Sequence, residues 1–237
     1  MNIVGIIPAR GGSKGIKGKN IIDINGKPLI GYTIEDALSS KLINRIVVST
    51  DSDEIASVVS GMYDVEVIKR PSAFARDDSP IEEALLHVVE YLEQKEKYTV
   101  DLVVWMQANV PIRKEGIIDE AVVRLVNSDA DSCVTCYEVD QIPEVMKVMN
   151  EKGRLAPLFE DVKGIRRQEF PKKYLLDGSV VALRAKNLFQ TRGIRKAHIY
   201  LGREIIPLIQ EKKMYTLEID VPEDILSVKY YMEKVDR

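Results

Sequence analysis

The sequence predicts an α/β, doubly wound protein of three layers, with a mostly parallel sheet covered by helices on both faces. Two observations carry this. Short Val- and Ile-rich runs alternate with longer stretches of helical periodicity, the pattern of successive βαβ units. Polar residues also gather just after these runs, where ligands bind in open parallel sheets. Strands are expected at 3–8, 45–49, 66–69, 102–106, 132–138 and 179–184, and helices at 28–39, 52–60, 79–96, 115–126 and 222–235.

The first run breaks at Pro8 into Ala9-Arg10-Gly11-Gly12-Ser13-Lys14-Gly15, then Lys17, Lys19 and Asn20. Four cations (Arg10, Lys14, Lys17, Lys19) fall within twenty residues and no carboxylate precedes Asp23. Glycines let backbone N–H groups approach a ligand closely, and a turn of such amides makes a concave anion site that lysines reinforce. A polyphosphate is the expected anion, with Ser13 and Lys14 in reach of its oxygens; the alternative is an ordinary surface turn. The spacing is neither Gly-x₄-Gly-Lys-Ser/Thr nor Gly-x-Gly-x-x-Gly, so this is not one of the two familiar phosphate loops.

The later strands end on Ser49-Thr50-Asp51, on Arg70-Pro71 and on Gln107-Ala108-Asn109, and Glu218-Ile219-Asp220-Val221-Pro222-Glu223-Asp224 follows near the C-terminus. Separate segments can therefore meet on one rim. Residues 141–176 break the rhythm with Pro143, Gly153, Pro157, Gly164 and Pro171 and a basic pair, Arg166-Arg167, ahead of Gln168. This reads as a lobe inserted into one domain spanning 1–237. No internal repeat or dividing linker is evident.

With 237 residues, 45% hydrophobic and 30% charged, the chain can bury a substantial core. A net charge of −3 argues against a general nucleic-acid or membrane-surface binder. No apolar run is long enough to span a bilayer, and the N-terminal run is too short for a signal peptide, so a cytoplasmic location is expected. Cys133 and Cys136 form a lone C-x-x-C. In an extended segment residues three apart face opposite ways, so two packed core thiols are expected in place of a redox or zinc pair. His87 and His198 read as structural.

Taken together, these segments resemble the bacterial CMP-sugar synthetases, most closely the N-acylneuraminate cytidylyltransferases, over nearly the whole chain. The family's Ala-Arg-x-x-Ser-Lys-Gly and Lys-Asn stand here as Ala9, Arg10, Ser13, Lys14, Gly15, Lys19 and Asn20. Its Val-Ser-Thr-Asp, Arg-Pro, Gln-Pro-Thr-Ser-Pro-Leu-Arg, Arg-Gln-x-x-Pro and Asp-Ile-Asp segments correspond to 48–51, 70–71, 107–113, Arg167-Gln168 with Pro171, and Glu218-Ile219-Asp220.

The resemblance implies a nucleotide-diphospho-sugar transferase-like fold and a reaction in which the anomeric hydroxyl of an acidic sugar attacks the α-phosphate of CTP. It also implies Mg²⁺ as cofactor and a homodimer formed through the inserted lobe. Arg10, Lys19 and Asp220 would be catalytic, with Ala9, Gly11, Gly12, Ser13, Lys14, Asn20, Arg70, Ser79, Gln107, Arg167 and Gln168 binding substrate. The amides of Gly11 and Gly12 with Arg10, Lys14 and Lys19 would hold the triphosphate. Asp220 and Glu218 would hold Mg²⁺, Arg70 and Asn20 would contact the nucleoside, and Arg167 would pair with the sugar carboxylate.

Three departures stand out. Gln107-Ala108-Asn109-Val110-Pro111 replaces Gln-Pro-Thr-Ser-Pro, which is expected to change the polar groups offered to the sugar. Glu218 stands where Asp is usual, and the family's lobe lysine has no clear match, Lys147 being only nearby. Sialic, legionaminic and pseudaminic acids and Kdo all stay open as acceptors. Two other readings are weighed: a pyrophosphorylase acting on a sugar phosphate, whose Gly-Gly loop with a Thr/Arg-Leu pattern is absent, and a noncatalytic nucleotide-binding protein.

Overall fold

The fold was read from a computed structural model, which describes residues 1–164 and 166–234; the Arg167 side chain also lies outside the description. In chain order the elements are β1 (Ile3–Pro8), β2 (Asp23–Ile24), β3 (Lys27–Pro28), α1 (Leu29–Ser39), β4 (Arg45–Thr50), α2 (Asp53–Met62), β5 (Glu66–Lys69), α3 (Ile81–Lys95), β6 (Leu102–Trp105) and α4 (Ile117–Val126). There follow β7 (Ser132–Glu138), β8 (Lys147–Met149), β9 (Leu155–Pro157), β10 (Tyr174–Arg184), α5 (Lys186–Phe189), β11 (Ile205–Ile209) and α6 (Pro222–Met232).

Seven strands form one sheet in the order β11-β7-β10-β6-β1-β4-β5. The pairs β1/β4, β1/β6, β4/β5 and β7/β11 are parallel, and β10 runs antiparallel to both β6 and β7. Because successive side chains alternate faces, Ile3 and Ile7 join α1, α2 and α4 in one core while Val4 and Ile6 join α3 and α5 in the other. The three-layer doubly wound expectation holds. A third cluster of Ile24, Leu29, Tyr32, Ile112, Ile219 and Val228 seats α6 and the segment before it against α1.

Where the elements differ from expectation, local chemistry explains it. β10 begins at Tyr174, five residues before the expected 179, because its register shifts between Leu176 and Val181 around Gly178, whose φ is +64°; a bulged strand loses the alternation that marks it. β11 carries Pro207 in its middle, tolerated because this strand is the sheet's edge. The β2–β3 hairpin turns on Asn25-Gly26, both at positive φ, the usual two-residue hairpin turn. The helix expected at 222–235 ends at Met232; Val235 lies outside the described residues.

Both cysteines are buried and unpaired. Burial pushes the Cys133 thiol up to about 11, so it is inert at neutral pH. Between β7 and β10 the chain forms the short β8–β9 hairpin. All three residues of β8 are exposed, as are Leu155 and Phe159. Among the described residues, no helix is long and apolar enough to cross a membrane.

Candidate functional site

The segments after β1, β5 and β6 meet the segment before α6 around a cleft of about 580 Å³. Arg10, Ser13, Lys14, Lys19, Asn20, Arg70, Ser79, Gln107 and Asp220 all line it. Of the remaining expected residues, Ala9, Gly11, Gly12, Glu218 and Gln168 do not. Ala9 is a buried extension of β1, its N–H donating to the Ser49 carbonyl at 2.9 Å. Gln168 is exposed on the lobe, and the Arg167 side chain is outside the description.

The glycine-rich loop is held from beneath. Asn20 is buried and its Nδ2 donates to the Arg10 carbonyl at 3.0 Å. The Gly11 N–H donates to Asp51 Oδ1 at 2.9 Å, which braces the loop against the end of β4. Gly12 has open space around it, whereas a Cβ on Gly15 would collide with the backbone carbonyl of Asp220. The first loop glycine braces, the second is free, and Gly15 lets the loop touch the segment that carries Asp220.

Two loop cations already have a carboxylate. Arg10 Nη1 and Lys14 Nζ each lie 2.8 Å from Asp77, one on each oxygen, and the Lys14 hydrogen bond holds the Asp77 carboxyl below its ordinary range. Asp77 is thus an internal anion at the place where a phosphate is expected. Ser79 Oγ donates to the Ala73 carbonyl at 3.0 Å, which fixes the turn that presents Asp77.

Arg70 is the unusual cation. It is 5% exposed, and neither Nε nor Nη2 has a hydrogen-bond partner among the described residues. Burial pushes its guanidinium pKa down, against the opposing pull of Asp51. Each unmade buried hydrogen bond costs about 1–3 kcal/mol, so two on one side chain facing a cleft mark a place for a ligand to complete. Gln107 Oε1 and Trp105 Nε1 are likewise buried without partners on the cleft wall. The Gln107 side chain lies against Gly178, where any Cβ would collide with it.

Across the cleft, Asp220 Oδ1 accepts from Lys19 Nζ at 2.7 Å and from Asn109 Nδ2 at 3.0 Å. The Asn109 amide thus engages Asp220 while its residue lines the cleft. Glu218 is half-buried, and burial, then the charges of Asp220 and Asp177, push its carboxyl up to about 7. A carboxyl raised by neighbouring carboxylates in this way suits a divalent cation, which would relieve the repulsion. Among the described residues no three His, Cys, Asp or Glu side chains group closely enough to hold a metal by themselves. A cation here would draw further oxygens from a ligand or water, the habit of Mg²⁺.

Several lining residues were not foreseen: Asp77, Trp105, His198 and Tyr200. His198, expected to be structural, sits on the cleft wall at φ +55° and edge-on to Tyr200. No spacing signal points to Asp77 or His198, because both reach the rim from outside the strand ends.

The family model described as cytidylyltransferase matches residues 4–235. An N-acylneuraminate cytidylyltransferase of Streptococcus agalactiae is 26% identical over 230 residues, covering 96% of this chain and 52% of that protein; the chain thus spans about half the length of that relative. A CMP-N,N'-diacetyllegionaminic acid synthase of Legionella pneumophila is 31% identical over 236 residues, covering 98% of this chain and 97% of its own. Among solved structures, a CMP:2-keto-3-deoxy-manno-octonic acid synthetase complexed with CTP aligns with a TM-score of 0.73 at 18% identity, over 99% of each chain. That likeness establishes the fold.

Proposed function

The chain belongs to the cytidylyltransferase family, and from that premise we propose that it is a nucleotidyltransferase that activates an acidic, sialic-acid-like 2-keto sugar with CTP. In the reaction the anomeric oxygen forms a bond to the α-phosphorus, the bond from that phosphorus to the bridging oxygen of the β-phosphate breaks, and pyrophosphate leaves; the hydroxyl gives up its proton. The observation that carries the reading is the juxtaposition in one cleft of Arg10 and Lys14 on one side, Lys19 and Asp220 on the other, and a buried Arg70 with unmade hydrogen bonds between β5 and the loop.

The residues divide the work. Arg10 and Lys14 exchange Asp77 for phosphate oxygens, and Lys19 neutralises charge as it builds on the leaving pyrophosphate, since phosphoryl transfer is mostly positioning and charge stabilisation. Arg70 and Asn20 face the nucleoside, and Gln107 stands between nucleotide and sugar. Asp220, with Glu218, would hold Mg²⁺, whose chemistry there is to neutralise phosphate oxygens. Arg167 and Gln168 are assigned to the acceptor from the family motif alone.

We further propose a homodimer that covers the exposed apolar face of the lobe, and a cytoplasmic site of action. Contiguous exposed apolar residues such as Met149, Leu155 and Phe159 support pairing. Assaying pyrophosphate release with Mg²⁺ over a panel of nucleoside triphosphates, acidic sugars and sugar phosphates tests the reading. CTP with a 2-keto acid sugar should react, and turnover of sugar phosphates alone would overturn it.

A further inference from the structure

Asp220 lies on 217–220, a stretch with no sheet or helix of its own, and its side chain is 61% exposed. Such a carboxylate has no intrinsic reason to hold one orientation. The Asp220 N–H donates to Asp224 Oδ2 at 2.8 Å, which fixes the backbone, and its side chain is held by Lys19 and Asn109. The Asn109 carbonyl accepts from the Ile219 N–H at 2.9 Å, and the Asn109 Nδ2 donates back to the Ile219 carbonyl at 3.3 Å and to Asp220 Oδ1 at 3.0 Å. One residue thus grips both the backbone and the side chain of the segment, 111 positions away.

Asn109 is itself fixed from the core. The buried Arg113 guanidinium donates to the carbonyls of Gln107, Val110 and Ser179 at 2.7, 2.6 and 2.9 Å and to Thr33 Oγ1 at 2.9 Å. The loop bearing Asn109 is therefore tied to β10 and α1, and its rigidity passes to Asp220.

The second donor on Oδ1, Lys19, cannot do this job throughout the reaction. An ammonium neutralises the carboxylate and competes with a metal for it, and an arriving triphosphate offers Lys19 more negative charge than Asp220 does. The Asn109 amide is neutral, stays on Oδ1 and leaves Oδ2, which accepts no hydrogen bond among the described residues. We propose that Asn109 is a positioning residue for Asp220, presenting Oδ2 to a divalent cation. This rests on the reading of Asp220 as a metal ligand. Partners that orient a metal's ligands commonly alter metal affinity 10- to 100-fold when removed.

The test uses Mn²⁺ as the probe, its binding to the nucleotide-free full chain followed by electron paramagnetic resonance, with Asn109→Ala, Asn109→Thr, Asp220→Asn and the parent compared. Asn109→Ala should weaken Mn²⁺ about 10-fold, and Asn109→Thr, which keeps a donor, should recover part of the loss. In turnover, Asn109→Ala should need more Mg²⁺ for half-maximal rate while the KM for CTP at saturating Mg²⁺ shifts less than about threefold. If Asp220→Asn abolishes Mn²⁺ binding while a folded Asn109→Ala binds within twofold of the parent, Asn109 is only a structural brace and the inference falls alone. If Asp220→Asn binds Mn²⁺ like the parent, the metal reading falls and takes the inference with it. Should Asn109→Ala not fold, Asn109→Leu, close in size but without a donor, carries the same comparison, with unchanged Mn²⁺ affinity as the overturning result.

Discussion

Around the cleft, three of the polar groups stand beside a residue sunk in a core: Arg10 beside Ala9, Asn109 beside Ala108, Asp220 beside Ile219, all three neighbours at most 4% exposed. In the lobe the order is reversed: Val148, Met149, Leu155 and Phe159 face outward, and among the described residues the hairpin strands pair only with each other. The rim takes its geometry from the sheet beneath it. The lobe offers apolar surface that this chain leaves open, so its order depends on what covers it. Substrate groups drawn from the rim should therefore survive changes that disable the lobe, and the converse should hold as well.

The sharpest way to break this contrast is a single methyl group on the rim. Gly15→Ala should push the loop off Asp220 and lower kcat by about 100-fold, the scale of a misplacement near 1 Å, while Gly12→Ala, in open space, should stay within about threefold. Similar losses from both would show that the loop tolerates displacement. On the lobe, Leu155→Glu should give a monomer by sedimentation without altering CTP affinity; weakened CTP binding in that monomer would place the lobe inside the nucleotide site.

A smaller effect is expected at Asp77. Asp77→Asn removes the internal anion from Arg10 and Lys14, so tripolyphosphate binding by calorimetry should tighten about two- to tenfold, screened by salt as exposed pairs are. Unchanged or weaker binding would mean that Asp77 does not compete with phosphate. The pairing itself should fade as pH falls through the depressed carboxyl pKa of Asp77 and persist above it, since protonation removes the charge that Lys14 and Arg10 engage. Smallest of all, the native protein should expose no thiol to Ellman's reagent at pH 8, because Cys133 and Cys136 are buried and their thiols are pushed up by burial; fast labelling of either would contradict the closed core beneath the rim.

Much of the fold was legible because alternation and helical spacing are local properties. The strands at 3–8, 66–69 and 132–138 keep a clean apolar pattern and end where expected. The first half of β10 was hidden by its bulge at Gly178, and β11 by Pro207, features that only sheet position makes permissible. For the site, the strand-end rule placed Arg10, Arg70, Gln107 and Asp220 around one cleft in advance. It could not assign partners. Whether the Gly11 amide is free depends on Asp51, 40 residues on; whether Asn109 serves sugar or Asp220 depends on a segment 111 residues on. Such pairings come from topology, and residue type alone does not encode them.

The central claim is that Asp220 is the carboxylate on which nucleotidyl transfer depends, set in a cleft the fold builds without it. The direct measurement is single-turnover pyrophosphate release from CTP by Asp220→Asn, taken alongside its thermal melt. Loss of release by about 10²- to 10³-fold, the scale on which removing one electrostatic contributor acts, with the melt unchanged, is the predicted result. A folded Asp220→Asn that releases pyrophosphate within a few-fold of the parent would contradict the account.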